Sequence, residues 1–166
     1  MIASKKTTAP SRTPAQAGTG SQDAIALLRA DHAEVSALFA DYEKPHTNLQ
    51  KKALVSRICA ALNVHTQIEE ELFYPAIKNA LKDKLLVPEA VVEHTGIKRL
   101  IGEIEGAEPD GEMFDAKVKV LSEYVKHHVK EEQGDMFPKV RGMDIDMQKL
   151  GAQMHTRKAQ LLAAAG

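Results

Sequence analysis

From Ser21 onward, apolar residues recur every three or four positions, the period of amphipathic helices rather than strands. The first seam runs Ile25, Leu28, His32, Val35, Phe39, Tyr42, and Pro45 marks its end. Thr47 or Asn48 is suited to cap a second helix with the seam Leu54, Ile58, Leu62, His65, Glu69, Leu72, which Pro75 should kink or break. A third helix starts near Pro88 and carries Val87, Ala90, His94, Ile97, Ile101, Ile104 on one side. Asp110 is placed to cap a fourth, with Phe114, Val118, Leu121, Val125, His128, Glu132 as its seam and Gly134 as its stop. A last, weaker helix within 142–166 sets Met147, Leu150, Met154 and Leu161 on one side, with an Ala-rich end that should fray. No segment alternates as a strand would. Short connections then predict an all-α fold: an up-down-up-down four-helix bundle over residues 21–140 with an additional C-terminal helix as an appendage over 141–166. Residues 1–20, rich in Ser, Thr, Pro and Gly without apolar periodicity, should form a disordered, flexible N-terminal tail.

The seams are not uniformly apolar. His32, His65, Glu69, His94, His128 and Glu132 all fall where a buried side chain is expected. They also repeat. "DHAEVSAL" from Asp31 matches "EHTGIKRL" from Glu93 at an offset of 62, and "HTQIEEELFYP" from His65 matches "HVKEEQGDMFP" from His128 at an offset of 63. Each half of the chain therefore reads as a histidine on one helix and H-x-x-x-E on the next. Two such hairpins packed about a pseudo-twofold axis bring equivalent seam positions together.

Residues i and i+4 share a helix face, so His65 with Glu69 and His128 with Glu132 each make a two-donor claw, and His32 and His94 add one donor each. A buried polar group without a partner costs about 1–3 kcal/mol, and an ionised carboxylate more. Six of them in one core call for a common partner, and a metal centre supplies it. Four imidazoles with two carboxylates are too poor in oxygen for a Ca²⁺ or Mg²⁺ site, and no thiolate zinc site is available; iron, manganese, zinc and copper remain open. If both glutamates bridge two ions, each ion has two histidines and two carboxylate oxygens, with positions left for a bridging oxygen and for O₂, NO, peroxide or water.

The order H … H-x-x-x-E … H … H-x-x-x-E, with "FYP" and "MFP" after the glutamates, resembles the hemerythrin-like, HHE cation-binding family over roughly residues 24–140. The resemblance implies a non-haem di-iron centre, two iron ions with an oxo or hydroxo bridge, with His32, His65, His94 and His128 as terminal ligands and Glu69 and Glu132 bridging. Oxygen-carrying members have a further histidine four residues after the third, where this chain has Lys98. That leaves one iron short of a ligand, or lets water, a tyrosine or another glutamate fill in, and it weighs against reversible oxygen storage. Binding of O₂, NO or peroxide at an open position is the leading expectation. Catalase- or peroxidase-like turnover and an iron- or oxygen-responsive regulatory role are the alternatives. Ferritin-like bundles, the nearest rival, use E-x-x-H with carboxylates in excess, which the seams lack.

Composition narrows the rest. A formal net charge of -1 offers no field for nucleic acid or an anionic membrane surface. The single cysteine, Cys59, excludes an internal disulfide and fits a reducing compartment, so the cytoplasm is expected. No apolar run approaches membrane-spanning length, so no membrane is expected as a partner; the open positions of the centre make a small diatomic or peroxide ligand the expected one. The acidic neighbours Asp31, Glu70, Glu93 and Glu131 should be solvated, since adjacent helix positions face about 100° away. Tyr42, Tyr74 and Tyr124 read as core, with Tyr124, four residues before His128, able to reach the cavity.

Overall fold

The computed structural model describes residues 22–165, all helix and connection; the tail expected over 1–20 lies outside them. Helix α1 spans Ala24–Tyr42. Helix α2 comprises Asn48–Ile68, a π-helical turn Glu69–Phe73 and a short segment Tyr74–Lys78. Helix α3 is Leu86–Ile104, and α4 comprises Glu112–Glu131, a π turn Glu132–Met136 and Phe137–Arg141. Helix α5, Met147–Ala165, remains helical through its Ala-rich end.

Local chemistry explains most of these boundaries. Asp23 caps α1 by accepting from the Ala26 N–H. Thr47 and Gln50 form a reciprocal capping box on α2. Past the end of α3, Gly106 takes φ 74°, the left-handed conformation that favours glycine after a helix. Three expected boundaries are corrected. Gly111 rather than Asp110 occupies the N-cap of α4. Pro75 does not break α2, and Gly134 does not stop α4, which runs on to Arg141. In both cases the helix widens into a π turn just before the proline, making room for a ring that would otherwise strike the carbonyl four residues back.

The helices alternate in direction, and α5 lies against α1 and α2. The apolar interior falls into two clusters along the bundle. One holds Val35, Phe39, Ile58, Leu62, Ile97, Leu121 and their neighbours; the other holds Leu28, Phe73, Tyr74, Ile77, Phe137 and Val140, with Leu150 and Met154 from α5. The polar seam residues form a layer with these clusters on its two sides. Burial of both clusters is what fixes four helices firmly enough to hold a charged layer between them.

Candidate metal centre

All six seam residues reach that layer and are buried there, Glu69 and His94 completely. The His32 and His65 Nε2 atoms lie 3.2 Å apart, and those of His94 and His128 lie 3.1 Å apart. Glu69 Oε2 stands 3.3 Å from His65 Nε2 and 3.2 Å from His94 Nε2, so it spans the two histidine pairs. Glu132 Oε2 lies 3.2 Å from His32 Nε2 and 3.6 Å from His128 Nε2. Two overlapping groups result: His32, His65, Glu69 and Glu132, and Glu69, His94 and His128. Each histidine pair comes from one half of the internal repeat.

The outer face of each imidazole is also held. Asp31 Oδ2 lies 3.4 Å from His65 Nδ1, Glu70 Oε1 2.9 Å from His94 Nδ1, and Glu93 Oε2 2.7 Å from His128 Nδ1. The Gln133 amide meets His32 Nδ1 at 2.9 Å. A carboxylate on Nδ1 retains the proton there and turns the Nε2 lone pair inward, the arrangement that orients a metal-ligating histidine. The expectation that Asp31, Glu70 and Glu93 are solvated is therefore corrected. Each faces away from its own helix seam, as the 100° argument requires, but toward a histidine on the neighbouring helix. The repeat carried this signal: an acid precedes the histidine in both "DHAEV" and "EHTGI", and Glu70 and Gln133 follow the paired glutamates.

Tyr74 is a core residue, as expected, but sequence reasoning missed what its hydroxyl does. Its hydroxyl donates to Glu132 Oε1 at 2.8 Å and lies 3.3 Å from both Glu69 Oε2 and His94 Nε2. On an α-helix, five residues past Glu69 would point about 140° away from it. The π turn stacks Tyr74 over Glu69 instead, with the Tyr74 N–H bonded to the Glu69 carbonyl. The equivalent residue in the other half is Phe137, whose ring stacks on His32 with centroids 5.9 Å apart. Tyr124 takes neither proposed role: it is 44% exposed, with its ring against Gly96. Lys98 turns outward, bonding both Glu70 oxygens at 2.7 Å. His46 bonds the Asp41 carbonyl, His127 is largely exposed beside Glu93, and His155 is exposed, all outside the layer.

Do these residues fit a metal? Donors about 2.1 Å from one ion are separated by about 3.0–3.4 Å at right-angled or tetrahedral geometry. The Nε2–Nε2 and the shorter Nε2–carboxylate separations, 3.1 to 3.3 Å, fall in that interval. Glu69 Oε1 and Glu132 Oε2 are buried with no hydrogen-bond donor, the acceptor-rich condition that a cation relieves. Without an ion, protons must serve. Burial would depress His128, but the nearby Glu69 carboxylate, the hydrogen bond to Glu93 and the Glu132 charge outweigh it and push the group up to about 10. Burial likewise opposes ionisation of Glu69, yet the His65 charge and the close His128 and His94 imidazoles hold its carboxyl well below the usual range. Burial and the charges of Glu69 and Glu132 keep Tyr74 protonated and therefore a donor.

An all-helical bundle whose core converges four histidines and two glutamates on shared points defines a cation-binding helical protein. The model of the Hemerythrin HHE cation binding domain matches residues 23–140, and the chain belongs to that family. A curated relative described as a DNA nickase, from Nostoc sp., is 26% identical over 115 residues, 69% of this chain and 32% of the relative. The chain thus spans about a third of that protein's length. The crystal structure of a Hemerythrin HHE cation binding domain-containing protein from Mycobacterium kansasii superposes with a TM-score of 0.74 over 87% of this chain and 90% of that one, at 24% identity, a likeness of fold. Among the described residues, no helix is long and apolar enough to cross a membrane.

Proposed function

We propose that His32, His65, Glu69, His94, His128 and Glu132 hold two iron ions and that the centre takes a small diatomic ligand, O₂ or NO. The observation that carries the reading is the pair of donor groups sharing Glu69, with Nε2 atoms facing at 3.1–3.2 Å and unpartnered carboxylate oxygens beside them. When bound, the ion pair would supply redox-active Lewis acidity with coordination positions that the protein does not fill.

The chain's own residues decide what can reach it. A cavity of about 10 Å³ borders His32, His65 and His128 and is otherwise walled mainly by Val35, Leu62, Ile97, Val125 and Val129. That is room for one water-sized molecule, in apolar surroundings that favour a diatomic gas over a hydrated anion. Lys98, engaged with Glu70, contributes no donor where oxygen carriers have a histidine, which supports a role other than reversible storage. The Tyr74 hydroxyl supports peroxide decomposition as a second reading, because its oxygen lies 2.8 Å from Glu132 Oε1 and its proton is held beside the donor layer. The match to the DNA nickase is too partial to carry nicking activity over, and the net charge of -1 gives it no support.

Anaerobic purification with metal analysis, then visible spectra on adding O₂, NO or H₂O₂, tests the reading. Two irons per chain and a new charge-transfer band with O₂ or NO are expected. Many peroxide turnovers per site would favour the second reading. Glu69→Ala with Glu132→Ala should abolish paired-metal binding, and unchanged metal content in that variant would sink the assignment.

A further inference from the structure

Helix α5 lies beyond the family match at residues 23–140, yet one of its side chains reaches the outer ring of the centre and the preceding one clamps the adjoining π turn. Lys158 Nζ donates to Asp31 Oδ1 at 2.5 Å, while the other Asp31 oxygen faces His65 Nδ1. Arg157 grips Glu71 with two bonds, Nε to Oε2 at 2.6 Å and Nη2 to Oε1 at 3.0 Å, and Glu71 lies in the π turn that begins at Glu69. The seating is close: a Cβ on Gly151 would come within 2.3 Å of the Gln22 carbonyl oxygen, just before α1. Leu150 and Met154 are buried in the same cluster as Phe73 and Phe137. The other half has a comparable chain, Lys98–Glu70–His94, but it is built within the family match and not from α5. Glu93, the twin of Asp31, is flanked instead by His127 of α4.

We infer that α5 is a latch on the His32/His65 half of the centre, in which Lys158 positions His65 through Asp31. The inference rests on the metal-binding reading above. With the latch closed, Asp31 is fixed by Lys158 on one oxygen and holds the His65 Nδ1–H with the other, so the His65 lone pair stays aimed inward. With it open, Asp31 is free to turn to water and His65 loses its orienting partner. Metal uptake and α5 docking are then coupled, and the coupling is reciprocal. The regulation this implies acts on one ion of the pair, because the His94/His128 half takes its outer carboxylates from Glu70 and Glu93 without help from α5.

The full chain, titrated anaerobically with Fe²⁺ against a chelator of known affinity, provides the test. Lys158→Met keeps the aliphatic stem and removes the charge. It should weaken one of the two metal equivalents about tenfold and leave the other unchanged, the range seen for outer partners of metal ligands. Lys158→Arg should restore both. By reciprocity, Fe²⁺ should slow amide hydrogen exchange across 147–165 by about tenfold in the wild type and much less in Lys158→Met. Two equivalents of wild-type affinity in Lys158→Met, or equal loss of both together with a lowered metal-free melting temperature, would overturn the latch while leaving the site. A wild-type chain that takes up no metal would overturn the site and the latch together.

Discussion

Replacing Tyr74 by Phe isolates one buried hydroxyl, and Phe137 at the equivalent point of the repeat shows that a phenyl ring fits such a turn. The Tyr74 ring is 2% exposed, so its packing survives the change; what is lost is the 2.8 Å bond to Glu132 Oε1. A hydrogen bond to a charged acceptor contributes about 1.5–3 kcal/mol, and here its loss strands a carboxylate oxygen in a layer that water does not reach. Since a protein of this size loses about 2–4 °C per kcal/mol, the metal-free variant should melt on the order of 6 °C below the metal-free wild type. In the metal-loaded state the carboxylates have another partner, and the deficit should shrink below about 1 kcal/mol. Circular dichroism melts and urea titrations of both proteins, with and without Fe²⁺, give the four numbers needed. An equal deficit in both states, or none in the metal-free state, would refute the argument that hydroxyl and cation satisfy the same buried charge.

Gly151→Ala should lower metal-free stability by about 1–3 kcal/mol, because the new Cβ meets backbone at Gln22 that has no side-chain freedom to yield; a melting temperature within 1 °C of wild type, on the order of experimental error, would contradict it. Cys59 is buried and its thiol is pushed up to about 12 by burial and the Glu105 charge, so about one in ten thousand is thiolate at about pH 8. Its reaction with a disulfide reagent should therefore be slow in the folded chain and fast in denaturant, with rapid labelling of native protein as the contrary result. Because the raised thiol stays protonated while an unfolded one ionises, its contribution to stability is complete below about pH 8.5 and is lost as pH rises toward about 12. His128, raised to about 10 in the metal-free protein, holds a proton at neutral pH that an ion must displace. Apparent iron affinity should consequently fall as pH is lowered, and proton release on metal uptake, followed with an indicator dye in weak buffer, should be measurable; uptake without proton release would contradict it.

Much of the bundle was legible because the information is local. The 3.6-residue period, a cap at Thr47 or Asn48 and the offset of 62–63 between halves are read from local sequence, and so is the convergence of His32, His65, Glu69, His94, His128 and Glu132 once two hairpins are packed symmetrically. Two misreadings share one physical origin. A break at Pro75 and a stop at Gly134 both assume an uninterrupted α period, whereas each helix passes through a π turn and continues.

By itself the sequence determined which side chains are buried in the polar layer, because a donor on a seam has nowhere else to go once its apolar neighbours are packed. Only the tertiary structure decided what surrounds them. The π turn rotated Tyr74 onto the carboxylates, helix pairing turned Asp31, Glu70 and Glu93 from expected surface charges into partners of histidines on other helices, and the seating of α5 brought Lys158 within reach of Asp31. Each of these depends on the angular register between elements, which a periodicity along one helix does not encode.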